Sequence, residues 1–163
     1  MYYMTGSKVS SSPSVSTLSA SSKGPASLDD FAGRWHLRRK IIQQNGDTFS
    51  FVGTAAFCWE PAWEKPTLNY YEQGEVTAPN GNIMPAERRY FWQQSQHGVF
   101  DVLFDDERYF HTFSASNPNA EHLCGDDNYV VHYDFAKLPV WRSTWQVKGP
   151  RKDYTMISEY SPA

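Results

Sequence analysis

The sequence lacks the features that mark secreted, membrane or nucleic-acid-binding proteins. Its two cysteines, Cys58 and Cys124, are too few for a disulfide scaffold. No stretch approaches the roughly 18 consecutive apolar residues of a membrane-spanning helix, and the N-terminus lacks the apolar core of a signal peptide. The net charge of −3 includes no run of Lys or Arg suited to a phosphate backbone. We therefore expect a soluble, cytoplasmic protein with reduced thiols and with neither nucleic acid nor a membrane as its partner.

Several catalytic signatures are missing as well. There is no G-x-S-x-G motif, no phosphate-binding loop and no dinucleotide fingerprint, which argues against hydride and phosphoryl transfer. Aromatic residues are abundant instead, because 6 Trp, 10 Tyr and 10 Phe exceed what an average domain needs for packing. Such residues favour strands and the walls of cavities.

Two segments divide the chain. Residues 1–27 are rich in Ser and show neither helical nor strand periodicity, which predicts a disordered tail. Residues 28–163 consist of short β-branched and aromatic runs separated by turn signals such as Asn45-Gly46 and Gly149-Pro150. This pattern predicts one all-β domain, a single antiparallel barrel of about nine strands, entered through one helical turn at Ser27–Phe31.

Alternation of side chains along each strand assigns one face of the sheet to the barrel interior. That face is aromatic, but it also carries Arg39, Glu72, Arg88, His111 and Asp127. Because unpaired buried charges are costly, we expect the arginines and carboxylates to neutralise each other, either as a structural network or as a polar floor for a ligand. The predicted ligand-binding residues are Arg39, Tyr70, Glu72, Arg88, Tyr90, Trp92, His111, Tyr129 and Trp145.

Three functions remain open on this evidence. The first is a carrier or sensor that holds a small apolar or aromatic molecule bearing a polar group. The second is an isomerase, cyclase or hydrolase using proton transfer, with His111 as acid or base and Glu72 or Asp127 holding its tautomer. The third is a solid module that presents Trp59 and Trp63 to a protein partner. The sequence favours binding, and it identifies no cofactor.

The segment Glu121–Asp127 gathers side chains of the kinds that bind metals. His122 and Cys124 are zinc-type ligands at i, i+2 spacing, but the second pair of a zinc signature is missing. We therefore favour a hydrogen-bonding corner over a metal site. Cys124, His122 and Asp127 are also the residue types of a catalytic nucleophile, its base and the carboxylate that orients the base. A buried, unreactive thiol is nevertheless the commoner role for such a Cys.

Phe31-Ala32-Gly33-Arg34-Trp35 resembles the G-x-W start of lipocalins and their calycin relatives, in which the Trp plugs the closed end of the barrel. In that family a basic residue before the last strand lies across the Trp, and Gly149–Tyr154 resembles that segment. Heme-binding barrels of this shape share the G-x-W start, but the glycine-rich first strand that accompanies it there is missing here.

A broader resemblance spans Leu28 to Tyr160. The residues that carry it are Gly33 and Trp35, Tyr71-Glu72 with Gly74, Arg89-Tyr90 with Trp92, Phe110-His111, His122 with Cys124, Asp127 with Tyr129, and Gly149-Pro150 with Lys152. In these the chain resembles a family of small microbial proteins catalogued as domain of unknown function 6314. The resemblance implies a calycin-like fold and brings no activity.

Overall fold

A computed structural model describes residues 24–163, so the disorder predicted for residues 1–23 lies outside the described residues. Residues 24–27, which the prediction assigns to the tail, are among the described residues. The carbonyl oxygen of Ala26 accepts hydrogen bonds from the backbone N–H of Gly98 at 2.9 Å and from the side chain of Gln94 at 3.1 Å. These contacts attach residues 24–27 to the barrel.

The all-β prediction is confirmed, with ten antiparallel strands in place of about nine. They are β1 (Gly33–Gln43), β2 (Thr48–Trp59), β3 (Thr67–Thr77), β4 (Ile83–Gln96), β5 (Val99–Phe104), β6 (Tyr109–Ser114), β7 (Asn119–Cys124), β8 (Asp127–Lys137), β9 (Val140–Lys148) and β10 (Asp153–Pro162). The additional strand arises because the run after Asn119 turns at Gly125-Asp126, where Cys124 pairs with Asp127. Gly125 has a φ of 60°, which favours a tight hairpin turn.

The sheet curls into a nearly closed barrel. Its strands follow the order β6-β5-β4-β3-β2-β1-β10-β9-β8-β7, so β6 and β7 are the two free edges. Side chains bridge this gap, with the ring of Phe110 on β6 lying 5.3 Å from the ring of His122 on β7. None of the helical structure in residues 24–163 is long and apolar enough to cross a membrane.

A short 3₁₀ turn at Leu28–Asp30 closes one end of the barrel, as the sequence predicts. Phe31, which follows it, is only 1% exposed, and its backbone oxygen accepts a hydrogen bond of 2.8 Å from the indole of Trp35. Trp35 therefore lies at the closed end, as the lipocalin resemblance implies. The basic partner expected across it is absent among residues 24–163, because Lys152 belongs to the turn at the opposite, open end and lies over Tyr129.

The inward faces agree with the predicted alternation except at β6. Tyr109 was expected inside but is 57% exposed, because the pairing of β5 with β6 shifts register between Val102 and Leu103. The shift buries the consecutive residues Phe110 and His111. A single extra residue of this kind is invisible to strict alternation.

We predict that Gly53→Ala destabilises the barrel by about 3 kcal/mol, measured by chemical denaturation. A β-carbon built on Gly53 would lie 2.1 Å from the carbonyl oxygen of Gln73 and 2.7 Å from the α-carbon of Gly74, so the backbones of β2 and β3 would have to separate. The control is Val52→Ala on the same strand, whose side chain is 62% exposed and whose loss should change stability by less than about 0.5 kcal/mol. Equal stability of the two variants would contradict this account.

Candidate functional site

The barrel encloses a cavity that opens toward the end opposite Trp35. The volume of the cavity is about 70 Å³. All nine predicted ligand-binding residues line it, namely Arg39, Tyr70, Glu72, Arg88, Tyr90, Trp92, His111, Tyr129 and Trp145. The prediction did not include Phe110, whose inward position follows from the register shift in β6.

An ion pair lies inside this cavity. Arg39 on β1 and Glu72 on β3 are 7% and 2% exposed, and they form two parallel hydrogen bonds of 2.6 and 2.8 Å. The inward residues of β2 between these strands include Gly53 and Ala55, which leave room for the two side chains to meet. The Nε of Arg39 donates a third hydrogen bond of 2.7 Å to the hydroxyl of Ser158 on β10. The network therefore joins β1, β3 and β10.

Both members of the pair are charged. Burial alone would raise the pKa of Glu72, but the hydrogen bonds and the charge of Arg39 outweigh burial and hold that pKa below its usual value. Burial likewise opposes the charge of Arg39, and its contacts with Glu72 raise its pKa nonetheless. The predicted neutralisation of an arginine by a carboxylate is thus present in the structure.

Tyrosine hydroxyls complete the network. Tyr70 donates a hydrogen bond to Glu72, and its hydroxyl lies 3.0 Å from the hydroxyl of Tyr160. Burial raises the pKa of Tyr160 to about 12 and that of Tyr70 well above its ordinary value. Both phenols are therefore neutral near pH 7.

Arg88 stands at the edge of this network. Its Nε lies 3.8 Å from the Oε1 of Glu72, and its side chain is 43% exposed. The β5 strand pairs with β4 only from Tyr90 onward, so Arg88 lies just beyond the end of β5. Its guanidinium therefore faces both the cavity and the solvent.

The structure does not bring together the three residues predicted for proton transfer. His111 is 2% exposed, and its Nε2 lies 2.8 Å from the hydroxyl of Tyr133 rather than near Glu72 or Asp127. Glu72 is engaged by Arg39, and Asp127 lies at the start of β8, where it forms a salt bridge of 3.1 Å with Lys152. Burial is the main cause that lowers the pKa of His111 to about 3, so the ring is neutral near pH 7.

Three residues that line the cavity each have a buried polar atom without a hydrogen-bond partner among residues 24–163. The atoms are the indole nitrogens of Trp92 and Trp141 and the Nδ1 of His111. A buried polar group without a partner costs about 1–3 kcal/mol. The aromatic wall is therefore not fully satisfied in its hydrogen bonding.

The candidate metal ligands His122 and Cys124 do not form a metal site within residues 24–163. No group of three His, Cys, Asp or Glu side chains gathers there to hold a metal ion. Cys124 is exposed, contrary to the expected buried thiol, and the ring of His122 packs against the ring of Phe104 at 5.8 Å. Cys58 is also a free, exposed thiol, so the prediction of two unpaired cysteines agrees with the structure.

The predicted aromatic anchor at the β2–β3 loop is only partly exposed. Trp59 is 49% exposed, whereas the ring of Trp63 packs 5.1 Å from that of Phe91. Because the barrel also contains a cavity, the third hypothesis of a solid interaction module has the least support.

Comparison with known families decides the classification. Residues 31–162 match the model described as a family of unknown function, DUF6314. The chain belongs to this family. The match covers all ten strands, as the resemblance seen in the sequence implies.

Solved structures identify the fold of this DUF6314 protein. The S-type phycobiliprotein lyase CPES from Guillardia theta aligns over 86% of this chain and 95% of its own, with a TM-score of 0.63 and 7% identity. This similarity confirms the calycin-like barrel. A de novo designed fluorescence-activating β-barrel aligns over 85% of this chain and 99% of its own at 13% identity, but its TM-score of 0.38 is too low to support an argument.

One curated relative resembles the DUF6314 chain in sequence. The phosphoinositide phosphatase SAC7 of Arabidopsis thaliana is 26% identical over 119 residues, which cover 69% of this chain. The chain spans about a fifth of the length of that relative, since the match covers 19% of it. No activity is carried over from so partial a match.

We predict that Glu72→Gln lowers the free energy of unfolding of this DUF6314 barrel by about 3–5 kcal/mol, because Arg39 is left as an uncompensated buried charge. The double variant Arg39→Met/Glu72→Met should recover most of the loss, since apolar side chains of similar volume can replace a buried ion pair. Glu159→Gln is the control, because it breaks an exposed pair with Arg142 that contributes about 1 kcal/mol at most. A loss at Glu72 no larger than at Glu159 would contradict the role of the buried pair.

We also predict that His111 makes the DUF6314 barrel less stable as the pH falls from 6.5 to about 3. The unfolded chain binds a proton at His111 below about pH 6.5, whereas the folded state does so only near pH 3. The free energy of unfolding therefore falls by roughly 3–5 kcal/mol across this pH range. His111→Gln should flatten the slope of stability against pH in denaturant titrations. His36→Gln, on the exposed face of β1, is the control with which the slope of His111→Gln is compared. Parallel slopes for wild type and His111→Gln would exclude a buried neutral imidazole.

Proposed function

We propose that this protein binds a small, flat molecule with an apolar or aromatic body and a polar group inside the barrel, as a carrier or sensor. The observation that carries the proposal is the cavity itself, which lies among aromatic side chains and the charged groups of Arg39, Glu72 and Arg88. Apolar walls with a few polar groups directed at one space are typical of ligand pockets. A molecule with an aromatic body and a polar group matches both parts of this lining.

The aromatic wall favours a ligand with a flat, aromatic body. The rings of Phe110 and Trp145 pack against each other with centroids 5.1 Å apart, and other aromatic rings continue the wall. The open space of about 70 Å³ is well below the roughly 300 Å³ of a drug-sized pocket. We therefore expect a compact ligand, or one that displaces the half-buried side chains of Tyr129 and Tyr154 as it enters.

The environment of His111 favours binding over the alternative of proton-transfer chemistry. A general acid or base works best with a pKa near the working pH, and the pKa of His111 is lowered to about 3. Its Nε2 forms a hydrogen bond with the hydroxyl of Tyr133, and neither Glu72 nor Asp127 accepts a hydrogen bond from its ring. Location in the cytoplasm and the exclusion of nucleic acid and membranes as partners stay predictions from the sequence.

The test is binding of phenylnaphthylamine, an uncharged aromatic dye whose fluorescence rises in apolar surroundings. Wild-type protein should enhance the fluorescence in a saturable way, whereas Ser143→Phe should bind at least about tenfold more weakly. Ser143 is 3% exposed and lines the cavity, so a phenyl ring there fills the space that the dye needs.

Thr144→Phe is the matched control, because Thr144 is the next residue on β9 and points to the other face. It should bind the dye as the wild type does. Overpacking at Ser143 costs about 1–3 kcal/mol, so a denaturation curve must show that Ser143→Phe is folded at the assay temperature. Undiminished dye binding by folded Ser143→Phe would overturn the proposed site.

A further inference from the structure

The charges on the cavity wall do not cancel. Among the residues that line the cavity, the groups ionised near pH 7 are Arg39 and Arg88, which are positive, and Glu72, which is negative. His111 is neutral because burial lowers its pKa, and burial raises the pKa of the buried phenols Tyr70, Tyr133 and Tyr160 above their ordinary values. One positive charge is therefore left over in a largely apolar space.

The unbalanced charge belongs to Arg88. The carboxylate of Glu72 already accepts two hydrogen bonds from Arg39 and one from Tyr70. Arg88 lies 3.8 Å from the nearer oxygen of that carboxylate, which is beyond hydrogen-bond distance. Within residues 24–163, Arg88 has no other carboxylate as close. The three guanidinium nitrogens of Arg39 all donate hydrogen bonds, two of them to Glu72 and one to Ser158.

The position of Arg88 makes it accessible from two sides. It lies opposite Glu72 in the β3–β4 pairing, with its side chain on the same inward face as Tyr90 and Trp92. The neighbouring strand β5 ends its pairing at Tyr90, so the wall beside Arg88 is open and the side chain is 43% exposed. A guanidinium is planar and can donate two parallel hydrogen bonds to a carboxylate.

We infer that the polar group of the ligand is an anion, a carboxylate attached to a flat aromatic body, and that Arg88 binds it at the mouth of the cavity. This inference rests on the proposed function and adds the chemical class of the ligand. The carboxylate neutralises the charge that Glu72 leaves unbalanced, while the ring enters between the aromatic walls. Arg88 is therefore a specificity-determining residue, and Arg39 keeps its structural partners.

The test compares aromatic carboxylates with their own primary amides, which have nearly the same shape and no charge. Benzoate, cinnamate and naphthoate and the three amides are titrated into the full chain by calorimetry. Wild-type protein should bind at least one acid about tenfold more tightly than its amide, the difference expected for a hydrogen-bonded charge at a partly exposed site. Added salt should weaken binding of the acid and leave the amide unchanged.

Arg88→Gln should remove the preference for the acid while retaining the affinity for the amide. Arg89→Gln is the matched control, because Arg89 is the next residue on β4, is exposed and lies over the ring of Tyr71 outside the barrel. It should keep the full preference. Binding of phenylnaphthylamine by Arg88→Gln shows that the variant is folded with its cavity intact.

The possible failures are distinguishable. Equal affinities for acids and amides in the wild type, or an acid preference that survives in Arg88→Gln, would overturn the anion inference and leave the proposed function standing. Binding of the uncharged dye without binding of any acid would have the same meaning. Absence of dye, acid and amide binding together would overturn the proposed function as well.

Discussion

The buried ion pair between Arg39 and Glu72 is the constraint on which the rest of the interior depends. Two charges removed from water are tolerated only when their geometry is good and their remaining hydrogen-bonding groups have partners. Those partners come from β3 and β10, as the hydroxyls of Tyr70 and Ser158. Because the pair crosses β2, it also needs a small residue such as Gly53 between the two strands. The pairing of the strands and the polar interior therefore depend on the same residues.

The same pair determines what the cavity can accept. Since Arg39 occupies both oxygens of Glu72, Arg88 is left with its charge unbalanced at the open edge beside β5. Below it, burial keeps His111 neutral among aromatic rings. The interior therefore carries positive charge at its mouth and is largely apolar further in. A planar molecule with an anionic group at one end matches this arrangement. The closed end is filled by Phe31 and its neighbours, so the cavity is open at the charged end only.

Much of this interior could be predicted from the sequence, because alternation in strands needs no knowledge of the fold. Parity alone placed Arg39, Glu72 and Arg88 on one face together with the aromatic residues, and the structure has them on one cavity wall. This shared face depends on local periodicity, which a barrel preserves. The position of Trp35 at the closed end is instead what the resemblance of the G-x-W start to lipocalins implies.

The remaining features depend on local irregularity or on pairings between distant strands. The residues around Gly125-Asp126 attract attention in the sequence as candidate metal ligands, although a Gly between two extended runs also indicates a hairpin. The register shift at Phe110, between Tyr109 and His111, cannot be read from alternation, because it reverses the parity that alternation assumes. The partners of His111 and Lys152 depend on which strand ends meet, and no spacing within a single strand encodes that.

The central claim is that the barrel interior is a binding site for a small organic molecule. Native mass spectrometry of the full chain, before and after incubation with an extract of small organic molecules, measures this most directly. The account predicts a complex heavier than the polypeptide by the mass of one small molecule, lost when Ser143 is replaced by Phe. The mass of the polypeptide alone under both conditions, from protein shown to be folded, would contradict it.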